Sequence, residues 1–179
     1  DAPADPSAEG PAWGEGTPSA GGPAVNEPSD SSASAAVGGL TGPDVSSWQH
    51  PNGVAINWPQ VAAAGHSYAF VKATEGPSAP GRAFYENPWY DQDFNGAGAA
   101  GLYRAPYHFA RPMLPISTAL EQARFMVAVT GPLNAPLDLP HVLDIEVTGG
   151  LGPADLTDWT VTFVQEVERL TGRRPIIYT

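Results

Sequence analysis

The chain has 179 residues, of which 19 are acidic and 8 basic, so its formal net charge is −11. Because contact with nucleic acid phosphates needs clustered Lys and Arg, this charge argues against a nucleic-acid partner. The sequence contains no cysteine, which excludes disulfides and thiolate metal sites. No apolar run in the sequence reaches the roughly 20 residues that cross a membrane.

The first 39 residues differ in composition from the rest of the chain. They contain six acidic residues and no basic one, and Ala, Gly, Pro and Ser dominate them. Such a segment cannot bury enough apolar surface to offset the entropy of ordering. We therefore predict a disordered linker over 1–39 and a folded domain over 40–179. Because the chain starts at Asp1 without Met, we expect that a signal peptide has been removed or that the sequence is a fragment.

From residue 40 onward, strand-like and helix-like segments alternate, which predicts parallel strands joined by right-handed crossovers. Capping residues support the helices, with N-caps expected at Asn57 and Ser117. The last helix carries the clearest apolar stripe of the chain. The predicted strands are 41–48, 67–73, 102–110, 139–146 and 175–179, and the predicted helices are 58–64, 88–100, 117–129 and 153–170.

Two α/β architectures fit this alternation, a (β/α) barrel and an open doubly wound sheet. No glycine-rich phosphate loop follows any predicted strand, which counts against the nucleotide-binding sheets. Acidic and aromatic residues at the ends of several strands favour the barrel, because active sites of barrels form at that edge. We predict an irregular, TIM-like (β/α) barrel, incomplete here because about five strands and four helices do not close one.

Two acidic residues, Asp144 and Glu146, end the predicted strand 139–146. Residues two apart on a strand point to the same side at a spacing of roughly 6–7 Å. Carboxylates that close repel each other, so one of them is expected to keep its proton at neutral pH. A protonated carboxyl group is what cleavage of a glycosidic bond requires. The alternative is a solvated strand end with two surface acids, which the apolar neighbours Val142, Leu143 and Ile145 make less attractive.

Other candidate site residues lie near the ends of other predicted strands. Asp44 is one, although an Asp in this context also suits a turn. Trp48, Tyr107 and Tyr178 are candidates for stacking on sugar rings, with ordinary packing as the alternative for each. Tyr107 alternates with His108, so only one of the two faces inward.

Glu75 is a further candidate for the site, at the end of the second strand. A structural pair with Lys72 explains this residue equally well. A metal site has little support, because no tight ligand spacing occurs among the histidines, which are His50, His66, His108 and His141.

Six motifs resemble, in order and in register, the glycoside hydrolase family 25 lysozymes, which are also called Chalaropsis-type muramidases. The resemblance spans residues 41–179 and leaves the acidic segment outside. The motifs are Asp-Val-Ser-Ser-Trp-Gln at 44–49, Ile-Asn-Trp at 56–58, Phe-Val-Lys-Ala-Thr-Glu-Gly at 70–76, Ala-Pro-Tyr-His-Phe-Ala-Arg at 105–111, Leu-Asp-Ile-Glu at 143–146 and Thr-Gly-Arg-Arg-Pro-Ile-Ile-Tyr-Thr at 171–179.

The resemblance implies cleavage of the β-1,4 bond between N-acetylmuramic acid and N-acetylglucosamine in bacterial peptidoglycan. It implies an eight-stranded irregular barrel without metal or other cofactor, in a secreted or cell-wall-associated protein that we expect to be a monomer. Position by position, Glu146 resembles the general acid and Asp144 the carboxylate that tunes it or orients the substrate N-acetyl group. Asp44 resembles another essential aspartate, and Tyr107 a substrate-contacting tyrosine.

The sequence departs from the family pattern at its end. Family members continue for several strands and carry another active-site aspartate, whereas this sequence stops at Thr179. The resemblance therefore implies an unpaired, apolar edge strand in a fragment that is inactive by itself. Two other functions remain open, a chitinase-like N-acetylhexosaminidase and a non-catalytic module that binds cell-wall glycans. The sequence also leaves open a substrate-assisted and an inverting mechanism.

Overall fold

A computed structural model describes residues 39–179, so the predicted linker lies almost wholly outside the described residues. Strands and helices alternate along this part of the chain. They are β1 (Asp44–Val45), α1 (Trp58–Ala63), β2 (Tyr68–Glu75), β3 (Tyr85–Glu86), α2 (Tyr90–Ala99), β4 (Tyr103–Phe109), α3 (Ser117–Thr130), β5 (Val142–Asp144), α4 (Pro153–Thr171) and β6 (Ile176–Tyr178), with two short 3-10 turns after β1, Ser47–Gln49 and Pro51–Gly53.

The strands form one sheet in the order β1-β2-β4-β5-β6, and every neighbouring pair in this path is parallel. The five predicted strands and their parallel arrangement are thus confirmed. The short β3, which pairs antiparallel with β2, was not predicted. Over residues 39–179 the sheet is open, with β1 and β6 at its edges, so a closed barrel is not present in the described part of the chain.

Several local predictions can be compared with the structure. Asn57 caps α1, since its side chain accepts a hydrogen bond from the Gln60 backbone N–H at 3.2 Å. The prediction for Ser117 was wrong, because the chain is already helical at Ile116 and Ser117 is the first residue of α3. The observed strand β5 is shorter than the strand predicted over 139–146, and Glu146 lies beyond its end.

The two faces of the sheet have different surroundings. Side chains of one face, including Val45, Val71 and Leu143, are buried in the cores formed with the helices. Because side chains alternate along a strand, Asp44 and Asp144, each next to one of these core residues, lie on the opposite face. The acidic candidates of two different strands therefore share one face of the sheet.

The edge strand β6 exposes apolar side chains, as expected for it. Ile176, Ile177 and Tyr178 are 36%, 50% and 47% exposed. Uncovered apolar strands at a sheet edge offer unpaired backbone groups to further pairing. None of the described helices is long and apolar enough to cross a membrane.

Candidate active site

The candidate site lies at the carboxyl end of the parallel strands, where the strand register brings distant residues together. Asp144 of β5 lies opposite Phe109 of β4 on one side and Tyr178 of β6 on the other. Phe109 in turn lies opposite Glu75 of β2. Since residues in register on parallel strands point to the same face, these four side chains form one row across the sheet.

Asp144 has the surroundings expected of a titrating catalytic carboxyl group. It is only 9% exposed, and its Oδ1 atom is buried without a hydrogen-bond partner among the described residues. Burial raises the pKa of Asp144 to about 7, and the charge of Glu146 is the next largest contribution. The charges of Asp44 and Glu75 act in the same direction, and that of Lys72 opposes them.

Glu146 and Asp144 therefore interact electrostatically, as the two-residue spacing predicted. Glu146 is exposed, so its carboxyl group is accessible to a ligand at this edge of the sheet. The segment between them is fixed by the backbone of β6, because the Ile145 N–H donates to the Tyr178 carbonyl at 2.9 Å. An accessible acid next to a buried one can deliver a proton while its neighbour stores one.

Asp44 is the exposed first residue of the two-residue strand β1, and its charge acts on Asp144. The turn that follows β1 presents Trp48, which is 59% exposed. Ser46 and Gln49 shape this turn, because the Ser46 hydroxyl accepts from the Trp48 N–H at 3.3 Å and Gln49 Oε1 accepts from the Ser46 N–H at 2.7 Å. The sequence Ser-Ser-Trp-Gln thus builds a capped turn with an outward-facing indole.

Two of the aromatic candidates, Tyr107 and Tyr178, lie on the same face of the sheet as Asp144. Tyr107 lies two residues before Phe109 and so shares its face, whereas His108 points to the core and stacks on Phe163 with ring centroids 5.3 Å apart. Of Tyr107 and His108, Tyr107 is therefore the one that lies on the face of Asp144. Tyr178 is half-exposed and lies in register with Asp144.

The structure places Glu75 in the interior, and its assignment to the substrate-binding residues stays a prediction. Glu75 has no exposed surface, and both of its carboxylate oxygens are paired. Its Oε2 accepts from Lys72 Nζ at 2.5 Å, and Oε1 accepts from Arg111 Nε at 2.8 Å. The alternative of a structural Lys–Glu pair is the one that the structure bears out.

Lys72 and Arg111 are the residues of this region that sequence reasoning did not assign to the site. In the sequence, the only signal for both was that they are basic residues in a chain that has eight. Within residues 39–179 no group of three or more His, Asp or Glu side chains is arranged to hold a metal ion.

Comparisons with known proteins agree with this geometry. Residues 43–179 match the model of the glycosyl hydrolases family 25. Lysozyme M1 of Streptomyces globisporus is 35% identical over 152 residues, which cover 81% of this chain and 48% of that protein. An N,O-diacetylmuramidase of a Chalaropsis species is 34% identical over 78% of this chain and 65% of its own length.

Solved structures of lysozymes are also similar to this chain. The crystal structure of the bacterial lysozyme from Streptomyces coelicolor superposes with a TM-score of 0.66 at 33% identity, covering 79% of this chain and 63% of that one. A family GH25 lysozyme from Aspergillus fumigatus gives a TM-score of 0.64 at 33% identity, over 76% of this chain and 63% of that one. The chain spans about half to two thirds of the length of these relatives. From its sequence and its fold, the chain belongs to family 25 of the glycosyl hydrolases.

Proposed function

We propose that this protein is a muramidase, which hydrolyses the β-1,4 bond between N-acetylmuramic acid and N-acetylglucosamine in bacterial peptidoglycan. The observation that supports it best is the buried carboxyl group of Asp144, with a pKa raised to about 7, beside the exposed Glu146. Relatives that are one third identical carry the names lysozyme and N,O-diacetylmuramidase.

The proposed roles follow from exposure and pairing. Glu146, which is accessible, protonates the leaving glycosidic oxygen as general acid. Asp144 supports it from the buried side. Asp144 is 9% exposed, and at this small exposed surface an N-acetyl group of the substrate would contact it. Asp44 lines the same face, and Trp48, Tyr107 and Tyr178 supply apolar surfaces for sugar rings.

Two routes lead from this arrangement to products. In the substrate-assisted route, the 2-acetamido carbonyl attacks the anomeric carbon while Asp144 steadies that group. In the inverting route, a carboxylate activates a water molecule on the opposite face of the sugar. The anomeric configuration of the first product, followed by NMR, distinguishes the two.

A closed (β/α) barrel is part of the proposal. The apolar side chains of β6 need a covering strand, and the solved relatives are longer than this chain. We further propose that the full-length protein is secreted or cell-wall-associated, acts as a monomer, and needs no cofactor.

The test is the identity of the new reducing end. Peptidoglycan is digested with the full-length protein, the products are reduced with borohydride, and mass spectrometry identifies the reduced sugar. A muramidase gives N-acetylmuramitol, whereas N-acetylglucosaminitol, or faster cleavage of chitin oligomers, would indicate a chitinase-like enzyme. Binding of peptidoglycan without any new reducing end would indicate a glycan-binding module.

A further inference from the structure

Arg111 is a partly exposed cation at the carboxyl end of the strands, beside the candidate site. It follows the end of β4 by two residues, and its guanidinium carbon lies 4.8 Å from the ring centroid of Phe109. Phe109 is the residue directly opposite Asp144 in the strand register. The side chain of Arg111 is 21% exposed, whereas that of Glu75, with which it pairs, is fully buried. An accessible positive charge therefore lies next to the row of side chains that contains Asp144.

The backbone of Arg111 is fixed by one buried side chain of α3. Gln122, which is fully buried, accepts a hydrogen bond from the Arg111 N–H at 3.1 Å and donates one to the Arg111 carbonyl at 2.8 Å. Its Oε1 atom also lies 3.0 Å from His108 Nε2, which therefore donates to it. These contacts hold the chain after β4, so the position of Arg111 does not depend on a ligand.

One edge of the Arg111 guanidinium group is bound to Glu75. Nε donates to Glu75 Oε1 at 2.8 Å, and Nη2 lies 2.7 Å from the same oxygen. The outer edge, formed by Nη1 and the second hydrogen of Nη2, has no hydrogen-bond partner among residues 39–179, and Nη1 is not one of their buried unpaired atoms. Because a planar guanidinium group binds a carboxylate through two parallel hydrogen bonds along one edge, a second carboxylate fits the outer edge.

Glu75 does not need Arg111 to neutralise its charge. The register of β2 with β4 shifts between Lys72 and Thr74, and this bulge at Ala73 lets the side chains of Lys72 and Glu75 face each other. Lys72 Nζ lies 2.5 Å from Glu75 Oε2, so two cations share one carboxylate. Lys72 is 1% exposed and cannot reach a ligand. The excess positive charge of these three residues is therefore accessible only through Arg111.

The acidic candidates of the site, which are Asp44, Asp144 and Glu146, disfavour an anionic ligand unless a fixed cation receives its charge. Peptidoglycan is such an anionic ligand, and its carboxylates have two sources. Where no peptide is attached, the lactyl group of N-acetylmuramic acid ends in a carboxylate. Elsewhere this group is amide-linked to a peptide stem, which carries carboxylates of its own.

We propose that Arg111 binds a carboxylate of the substrate through the outer edge of its guanidinium group. This inference rests on the proposed function, in which the substrate is peptidoglycan. The role of Arg111 is one of binding and specificity, because it selects glycans that carry a carboxylate over neutral glycans. Glu75 and Gln122 are positioning residues, since both are buried and hold Arg111 in place.

The test compares the binding of three matched glycans to the full-length protein, with Glu146→Gln introduced to prevent turnover. The first is a peptide-free tetrasaccharide of alternating N-acetylglucosamine and N-acetylmuramic acid. The second has its lactyl groups converted to neutral methylamides, and the third carries peptide stems on them. Calorimetry measures Kd for each glycan with and without the further substitution Arg111→Met.

We expect Arg111→Met to raise Kd about tenfold for at least one of the two carboxylate-bearing glycans and less than about twofold for the methylamide. A loss confined to the peptide-free glycan would identify the lactyl carboxylate as the bound group. A loss confined to the glycan with peptide stems would identify a carboxylate of the stem. The variant should fold, because Lys72 still pairs with Glu75.

Two further variants are controls. Arg111→Lys keeps a cation beside Glu75 but lacks the planar edge, so it should fold and weaken carboxylate binding about threefold. Arg124→Met on α3 also removes one of two arginines that share a carboxylate, that of Glu166, which retains Arg169. Because α3 covers the other face of the sheet, this substitution should leave all three Kd values unchanged.

Equal weakening of the charged and the neutral glycans by Arg111→Met would overturn the inference, because Arg111 would then only support the fold. Unchanged Kd values for both carboxylate-bearing glycans in Arg111→Met or in Arg111→Lys would also overturn it, as would a weakening that Arg124→Met reproduces. The binding is measured without turnover, so its result stands even where the wild type releases no N-acetylmuramitol. That second result would refute the proposed function instead.

Discussion

His50 and Asp93 share one proton in the interior of the protein. The Nδ1 atom of His50 lies 3.0 Å from the Val54 carbonyl, which can only accept, so Nδ1 carries a hydrogen. The other ring nitrogen, Nε2, lies 2.7 Å from Asp93 Oδ2, and one proton must lie between them. Trp89 stacks on the imidazole, with ring centroids 3.9 Å apart. The pair thereby fastens the segment after β1, which carries Trp48, to α2.

Asp93→Ala should destabilise the fold by about 2–4 kcal/mol, because it leaves the buried His50 nitrogen without a partner. Asp93→Asn should cost less, since its amide can donate to Nε2 of a neutral imidazole. Urea unfolding of the full-length protein measures both variants. Equal losses in the two would mean that the hydrogen bond to His50 contributes little.

Asp144→Asn should stabilise the fold at alkaline pH. The folded-state pKa of Asp144, about 7, lies above its ordinary value of 3.8, so the folded protein binds this proton more tightly than the unfolded chain does. That stabilisation is complete below pH 3.8 and is lost as the pH rises through 7. An uncharged Asn avoids the loss.

We expect Asp144→Asn to gain about 1–3 kcal/mol over the wild type at pH 8, and close to nothing at pH 4. Urea unfolding at the two pH values measures the difference. Asp158→Asn, an exposed substitution on α4, is the matched control and should show no such pH dependence. A gain for Asp144→Asn that is the same at pH 4 and pH 8 would argue against a buried, titrating carboxyl group.

Much of the fold follows from the sequence because its signals are local and periodic. The alternation of segments predicted the parallel strands, and the spacing of Trp159, Phe163 and Val167 predicted the buried stripe of α4. The electrostatic interaction of Asp144 and Glu146 was predictable because residues two apart in the sequence lie close in space.

The features that the sequence did not predict depend on which residues of neighbouring strands pair with each other. β3 has only two residues, too few for a periodic pattern, and it exists because its residues pair with the end of β2. The burial of Glu75 follows from the bulge at Ala73 and from Arg111, which is 36 residues further along the chain. Neither contact has a signature in a single sequence.

Glu146→Gln should lower the rate of peptidoglycan hydrolysis by at least about 100-fold, the scale of general acid catalysis. The amide keeps the size of the side chain but cannot supply the proton. Turbidity of a peptidoglycan suspension measures the rate, and Glu121→Gln, an exposed substitution on α3, should retain wild-type activity. A Glu146→Gln variant within a few-fold of the wild type would exclude Glu146 as the acid.

Trp48→Ala should raise KM for peptidoglycan fragments about fivefold, because an aromatic face lost from a sugar-binding surface costs on the order of 1 kcal/mol. The change in kcat should be small, since the indole has no acidic or basic group that could transfer the proton. Steady-state kinetics measure KM and kcat separately. Tyr103→Ala removes an aromatic side chain of similar exposure, 48%, from the opposite end of the strands, and it should change neither value.

Gly149→Ala should destabilise the loop that follows Glu146 more than Gly150→Ala does. Both glycines have positive φ, +61° and +79°, so alanine is strained by about 1 kcal/mol at either position. A Cβ at Gly149 would also collide with the Pro112 carbonyl of the loop after β4, whereas a Cβ at Gly150 would meet nothing within 4 Å. Urea unfolding should give a further loss of at least about 1 kcal/mol for Gly149→Ala. Because the displaced loop carries Glu146, hydrolysis should fall in that variant alone, and equal effects of the two substitutions would mean that the two loops do not touch.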